Sequence, residues 1–258
     1  MIRTSARRLE ALLKTTDKED QHRKLRKRLK SLRREAGVVR DLDVQMVALT
    51  NLNIGREQER KSRLMQSLND SREERAQGLS DTLKGKHIRK VRKWLRQWTG
   101  EIDAHHGDGL DPVPKALRMF ASLSREVRGW SVENLHAYRT RCKRIRYLAE
   151  MAGETPDANR VVEPLRRIQD AVGEWHDWLT LTEAAEKMFA SSVQGALLAA
   201  LRNTTNAKFV VARNVCQESR RVLLAQYREM LKRERESKSA AKRKPNKSAR
   251  PLSNAAVA

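Results

Sequence analysis

Apolar residues along this chain recur three and four positions apart rather than in alternation, a spacing that predicts helices almost throughout. The clearest stretch is 135–150, LHAYRTRCKRIRYLAE. Its Leu135, Tyr138, Cys142, Ile145, Leu148 and Ala149 form an apolar face that must be buried against other helices. At 100° per residue, His136, Arg139, Lys143 and Arg146 fall on a neighbouring arc, so the helix packs on one side and carries aligned cations beside the seam. Taken alone, such an arc reads as a solvated charged face.

The same periodicity orders the rest of the chain. Residues 1–14 predict a first helix with Arg3, Arg7 and Lys14 along one arc. A second follows to Gly37 on a spine of Leu25, Leu29 and Leu32, with Gly37 as its stop. A third is expected from Asp41 or Asp43 to about residue 52, then a charged helix or arm over 53–79. Ile88, Val91, Leu95 and Trp98 mark another helix, which the HHGDGLDP break ends. Further helices are expected at 112–127, 135–150, 159–172 (stopped by Gly173), 178–190 and 195–234. These divide into a first helical half, 1–104, and a second, 105–234. Residues 235–258 mix Lys and Arg with Ser, Pro and Ala without an apolar stripe, which predicts a disordered basic tail.

Composition narrows the class. In 258 residues, 39% are apolar and 4% aromatic, enough for a core and poor in strand formers, so the fold class expected is all-α. Lys and Arg number 55 against 32 acidic residues, a net +23 that opposes compaction until a polyanion neutralises it. No apolar run is long enough to span a bilayer and no signal-peptide core opens the chain, so a cytoplasmic protein without a membrane partner is expected. Cys142 and Cys216 sit alone in helical patterns, as buried reduced thiols do.

A repeat changes the reading of the basic arc. Setting Arg139 over Arg3 defines an offset of 136 residues that also carries Arg7 to Lys143, Leu29 to Leu165, Lys30 to Arg166, Gly37 to Gly173 and Asp41 to Asp177 without a gap. Two helical hairpins of equal length suggest two pseudo-symmetric antiparallel bundles. Packed about a pseudo-twofold axis, their basic arcs can line one shared groove, where arginine forks match phosphate oxygens. Asp41 and Asp177 are then read as helix N-caps or as carboxylates orienting nearby arginines.

The pieces RTSARRLEALL, LRREAGVVRDLDV, LHAYRTRCKRIRYLAE and LRRIQDAVGEWHDW resemble the CHAD family, the conserved histidine α-helical domain, over nearly all of the chain before the tail. The resemblance implies a helical protein that binds inorganic polyphosphate in a basic groove and can associate with polyphosphate granules; it does not imply an enzyme, and none is expected. It places His136, Arg139, Lys143, Arg144 and Arg146 on the basic motif of the second half, and Arg3, Arg7 and Arg8 on that of the first. Lys30, Arg33 and Arg166 complete the expected polyphosphate-binding set. The family's first motif has a histidine three residues before the position of Arg3, ahead of Met1 here. Glu10 stands where the second copy has Arg146.

Rival chemistries find less support. His105, His106, Asp108 and Asp111 lie in a Gly-rich break without metal-ligand spacing. His176 and Asp177 beside Trp175 and Trp178 read as a packed Trp pair with a capping Asp. Glu57, Glu59 and Lys61 spell E-x-E-x-K, a signature of triphosphate-processing tunnel enzymes, but in helical surroundings instead of strands. No metal, cofactor or catalytic residue is therefore expected. A nucleic-acid-binding protein is the serious alternative and a helical scaffold for acidic proteins a third, although the basic arcs carry no exposed aromatics for stacking bases.

Overall fold

The computed structural model describes residues 23–84, 86–103, 111–190 and 195–243. All its regular structure is α-helical: α1 (Arg23–Asn51), α2 (Gln58–Lys84), α3 (Lys86–Asp103), α4 (Pro112–Glu126), α5 (Val132–Glu150), α6 (Pro156–Met188) and α7 (Ala196–Arg243). The expected first helix, with Arg3, Arg7 and Arg8, lies outside the described residues, as do His105, His106, Asp108 and residues 244–258.

Two expected stops are not stops. Gly37 lies inside the 29-residue α1 and Gly173 inside the 33-residue α6, both buried. A glycine inside a helix costs only about 1 kcal/mol against alanine. Burial resumes beyond each one, at Gln45 and Leu49 in α1 and at Trp175 and Leu181 in α6. Asp41 and Asp177 are consequently mid-helix residues and cap nothing. Shifting α1 by the repeat offset lands it inside α6, so helix lengths follow the repeat even though the predicted breaks do not.

Helix ends follow their local chemistry. The Asp111 carboxylate accepts from Val113 N at 3.1 Å ahead of Pro112, which gives Asp111 a capping role. Ser131 and Asn134 form a reciprocal capping box on α5, and the Thr155 hydroxyl caps α6 ahead of Pro156. Pro164 stands inside α6 and cannot donate to the carbonyl of Arg160; Gln226 Nε2 of α7 donates to that oxygen instead, at 3.1 Å. The E-x-E-x-K residues belong to helix ends as well. Lys61 Nζ donates to Leu52 O at 2.7 Å and Thr50 O at 3.2 Å where α1 finishes, and Glu57 accepts from Leu197 N at 2.9 Å in the first turn of α7. α7 continues to Arg243, past the expected onset of disorder at 235. The pairs Arg233 with Glu229 and Lys232 with Glu236 support that extension along the helix, and Arg118 of α4 reaches Glu234 at 2.5 Å.

Among the described residues, three apolar clusters hold the helices. The largest lies among α4, α5, α6 and α7 and includes Phe120, Leu135, Cys142, Ile168, Trp175 and Leu223. A second joins the α1–α2 turn to the α6–α7 turn, packing Leu49, Leu64 and Leu68 on Leu181, Leu197 and Leu198. This cluster crosses the expected division at 104/105, so the two halves share apolar core. The third packs Leu25, Leu29 and Leu32 of α1 on Val91 of α3. Inside the α6–α7 pair the hydroxyls of Thr182 and Thr205 meet at 2.8 Å, so that neither buried oxygen lacks a partner. Both cysteines are free and buried; burial raises the Cys142 thiol and pushes Cys216 up to about 12, which keeps them protonated. None of the described helices is long and apolar enough to cross a membrane.

Candidate functional site

The capping box starts α5 at Val132 and thereby sets which of its residues face α6. Leu135, Tyr138, Cys142, Ile145 and Ala149 enter the core, as their spacing requires; Tyr147 is buried too, and Leu148 is only half-buried. Of the basic arc, His136 is exposed at the rim, while Arg139, Lys143 and Arg146 are half-buried.

Arg139 is the best-defined member. Its Nε donates to Gln169 O of α6 at 3.0 Å, and its guanidinium lies over Gly173 one turn further on. A Cβ at 173 would stand 2.7 Å from Nη2, so the glycine is what lets the fork rest against the α6 backbone. One turn towards the start of α5, the His136 ring faces that of His176 on α6, centroids 4.5 Å apart and planes inclined at 35°. Beside His176, Asp177 accepts from Arg40 of α1 at 3.2 Å, and the same guanidinium nitrogen reaches Asp41 at 3.3 Å. Gln45 of α1 donates to the Thr180 hydroxyl at 2.8 Å one turn along, fixing the crossing of α1 on α6. Asp41 and Asp177 thus take the second of their two expected roles, orienting an arginine.

Electrostatics follow from this crowding. Partial desolvation of the ring where it faces α6, then His176, Arg139 and Lys143, lower the pKa of His136. Burial and Arg139 lower that of His176, against the opposing pull of Asp177, Asp41 and Glu183. Burial raises the Asp177 carboxyl, and Arg40 partly offsets it. Both imidazoles are neutral near pH 7, and a negative ligand placed against them would favour their charged forms.

Other expected residues are engaged elsewhere or stand apart. Arg146 stays with its own helix, 3.6 Å from Glu150 and over the Tyr147 ring at 5.0 Å. Arg166 is exposed and pairs with Glu163 at 3.0 Å, while Arg144 is exposed. Lys30 is exposed and Arg33 half-buried on α1. The sequence gives His176 no role in the site and does not single out Arg40. The offset of 136 was the available signal, since it carries Arg40 onto His176 and Asp41 onto Asp177. The contacts cross reciprocally: Arg40 meets Asp177, and His176 lies in the field of Asp41. Nor are Trp175 and Trp178 a packed pair, because the first belongs to the largest core and the second packs on the core at the helix turns. No group of three or more metal-ligating side chains occurs among the described residues.

Fold and site together define an all-helical protein with a cation-bearing helix pair, α5 and α6, buttressed by the crossing helix α1. It belongs to the CHAD domain family, whose sequence model matches residues 1–186. The match takes in α1 to α5 and all but the end of α6, and the matched stretch stops short of α7. No curated protein and no solved structure matches the chain.

Proposed function

We propose that the protein binds inorganic polyphosphate along the α5–α6 face, with Arg139 and Lys143 as the principal contacts and His136, His176 and Arg40 at one end. The observation that carries this reading is the Arg139 fork, laid on Gly173 in line with Lys143 and the imidazole pair. A row of cations against a low-dielectric helix wall suits a flexible chain of phosphates that has no bases to be read. Family membership supports the same ligand class. The reciprocal contacts about the α1–α6 crossing support a pseudo-twofold relation, and the 136-residue offset extends the proposed set to Arg3 and Arg7, the sequence counterparts of Arg139 and Lys143, which lie outside the described residues. The proposed role is binding without catalysis, in the cytoplasm and on polyphosphate granules.

Competition tests it: labelled long-chain polyphosphate is bound by the full chain and challenged with single-stranded RNA at equal phosphate concentration and near-physiological salt. RNA should displace it poorly, and displacement at parity would end the polyphosphate reading.

Binding should also strengthen on acidification. The free imidazoles titrate below the ordinary value of 6.5, and a bound polyanion raises them, so protons are taken up on binding. Affinity should climb as pH falls through 6.5 and level off below the depressed free-state values. Stability of the free protein moves the other way, because histidines held neutral by folding disfavour the folded state once the unfolded chain takes up protons. His136→Gln with His176→Gln should flatten the affinity profile; an unchanged slope would remove the pair from the site.

Gly173→Ala separates the fork from its charge. Alanine favours the helix by up to about 1 kcal/mol, but its Cβ must shift the Arg139 guanidinium from its seat on Gly173. Helicity should hold while polyphosphate affinity falls by about tenfold, the scale of one misplaced charge-assisted contact; unaltered affinity would show that the placement of the fork does not matter.

A further inference from the structure

We propose that the end of the molecule built from the first half of α1 and from α3 is a second, separate surface, which binds the phosphate backbone of duplex nucleic acid. Residues 23–34, RKLRKRLKSLRR, contain no carboxylate, and neither do residues 86–96, KHIRKVRKWLR. Leu25, Leu29 and Leu32 of α1 bury themselves against Val91 of α3, which fixes these two stretches side by side. The cations must then project from the remaining arcs. On α1, Lys24, Lys27, Arg28, Lys30 and Arg34 are exposed, and on α3 so are Arg89, Lys90, Arg92 and Lys93. None of these nine makes an ion pair with a described residue. Exposed arginines on the α4–α7 bundle are commonly neutralised instead, Arg118 by Glu234, Arg167 by Glu218 and Arg202 by Glu186. Positive charge is therefore dense at this end of the molecule, where neither stretch carries a carboxylate to oppose it.

Shape selects the partner. The α5–α6 site rests a fork against a helix wall and suits one flexible chain. The α1–α3 end instead presents two cationic helices with axes about 8–10 Å apart, each basic stretch about 17 Å long. A rigid duplex carries one charge per about 1.7 Å of its axis, in two phosphate rows flanking grooves about 6 and 12 Å wide. Both helices can meet such rows at once, whereas a single polyphosphate strand follows one row at a time. Trp94 is half-buried in the cluster beneath and residues 23–34 have no aromatic, so bases have nothing to stack on; backbone contact with a duplex is favoured over single strands. α3 packs on α1 and α2, which sets this surface apart from the α5–α6 face.

The test uses the full chain and a duplex DNA of a few helical turns, titrated across salt concentrations, against the variant Arg89→Glu, Arg92→Glu, Lys93→Glu. Duplex affinity should fall by more than about tenfold and the slope of log affinity against log salt should shrink by about 2.7, three phosphate contacts at about 0.9 each. Polyphosphate affinity should stay within about twofold, since the α5 residues are untouched. Unchanged duplex affinity, or no duplex binding by the wild type, overturns the proposal. An equal loss for both polymers overturns it too, because the surface would then be part of the polyphosphate site. Should the triple glutamate chain lose helicity, the triple glutamine variant decides by the same criteria.

Discussion

Arg139→Glu combined with Lys143→Glu is expected to lower polyphosphate affinity by at least about a hundredfold and to leave helicity and the unfolding midpoint almost unchanged. A hydrogen bond to a charged group is worth about 1.5–3 kcal/mol, so two lost contacts cost about 3 kcal/mol or more, and each 1.4 kcal/mol is about a factor of ten. Two carboxylates facing a polyanion add repulsion to the loss. The fold should tolerate the change: Gln169 O, which Arg139 engages, is a helix carbonyl with its own intrahelical role, and both side chains are half-buried, outside the apolar clusters. Arg144→Glu with Arg166→Glu is the matched control. It makes the same change in net charge at an exposed α5 position and at an arginine already neutralised by Glu163, and should cost less than about tenfold. Isothermal titration with one long-chain preparation separates the outcomes. Wild-type affinity in the first variant would place the site elsewhere, and equal losses in both would mean that bulk charge and not the α5–α6 row holds the ligand.

What the sequence made legible depends on which interactions are local. The apolar face of α5 and its basic arc follow from helical geometry alone, and Leu135, Tyr138, Cys142 and Ile145 are buried as that geometry requires. A repeat needs only the sequence, and helix lengths respect it. Helix breaks are less legible, because a glycine such as Gly37 or Gly173 changes local propensity by only about 1 kcal/mol, which tertiary burial on either side outweighs. Partner choice was less legible still. Periodicity tells which residues of α5 share a face but not which residues of α6 lie opposite, so the meeting of His136 with His176 and of Arg139 with Gly173 appears only once the two helices are packed. Arg146 shows the converse. It shares the arc of Arg139 by angle, yet Glu150 and the Tyr147 ring hold it on α5. Glu57 and Lys61 had the letters of a catalytic motif and the positions of helix-end contacts, a distinction that depends on which backbone groups lie within reach.

Trp175→Ala is expected to destabilise the protein by about 3–5 kcal/mol, the usual cost of emptying a large aromatic site in a core that cannot collapse. The indole is 1% exposed, meets Phe209 of α7 edge-on at 5.6 Å and carries the His176 ring at 6.4 Å. It sits two residues after Gly173 and one before His176, so the residue that anchors α6 to α7 also fixes the wall on which Arg139 and His136 rest. The denaturant midpoint should drop at an unchanged m-value, and under folded conditions polyphosphate affinity should fall far less than in the Arg139, Lys143 double variant. Trp175→Phe, which keeps an edge-on partner for Phe209, should recover more than half of the lost stability. A cost below about 1 kcal/mol would show that α6 is held chiefly by its other contacts, among them Leu165, Ile168 and the paired hydroxyls of Thr182 and Thr205. A loss of affinity as large as that of the charge reversals, with the protein still folded, would instead make the positioning of α6 the main determinant of recognition and reduce the arginine fork to one contributor among several.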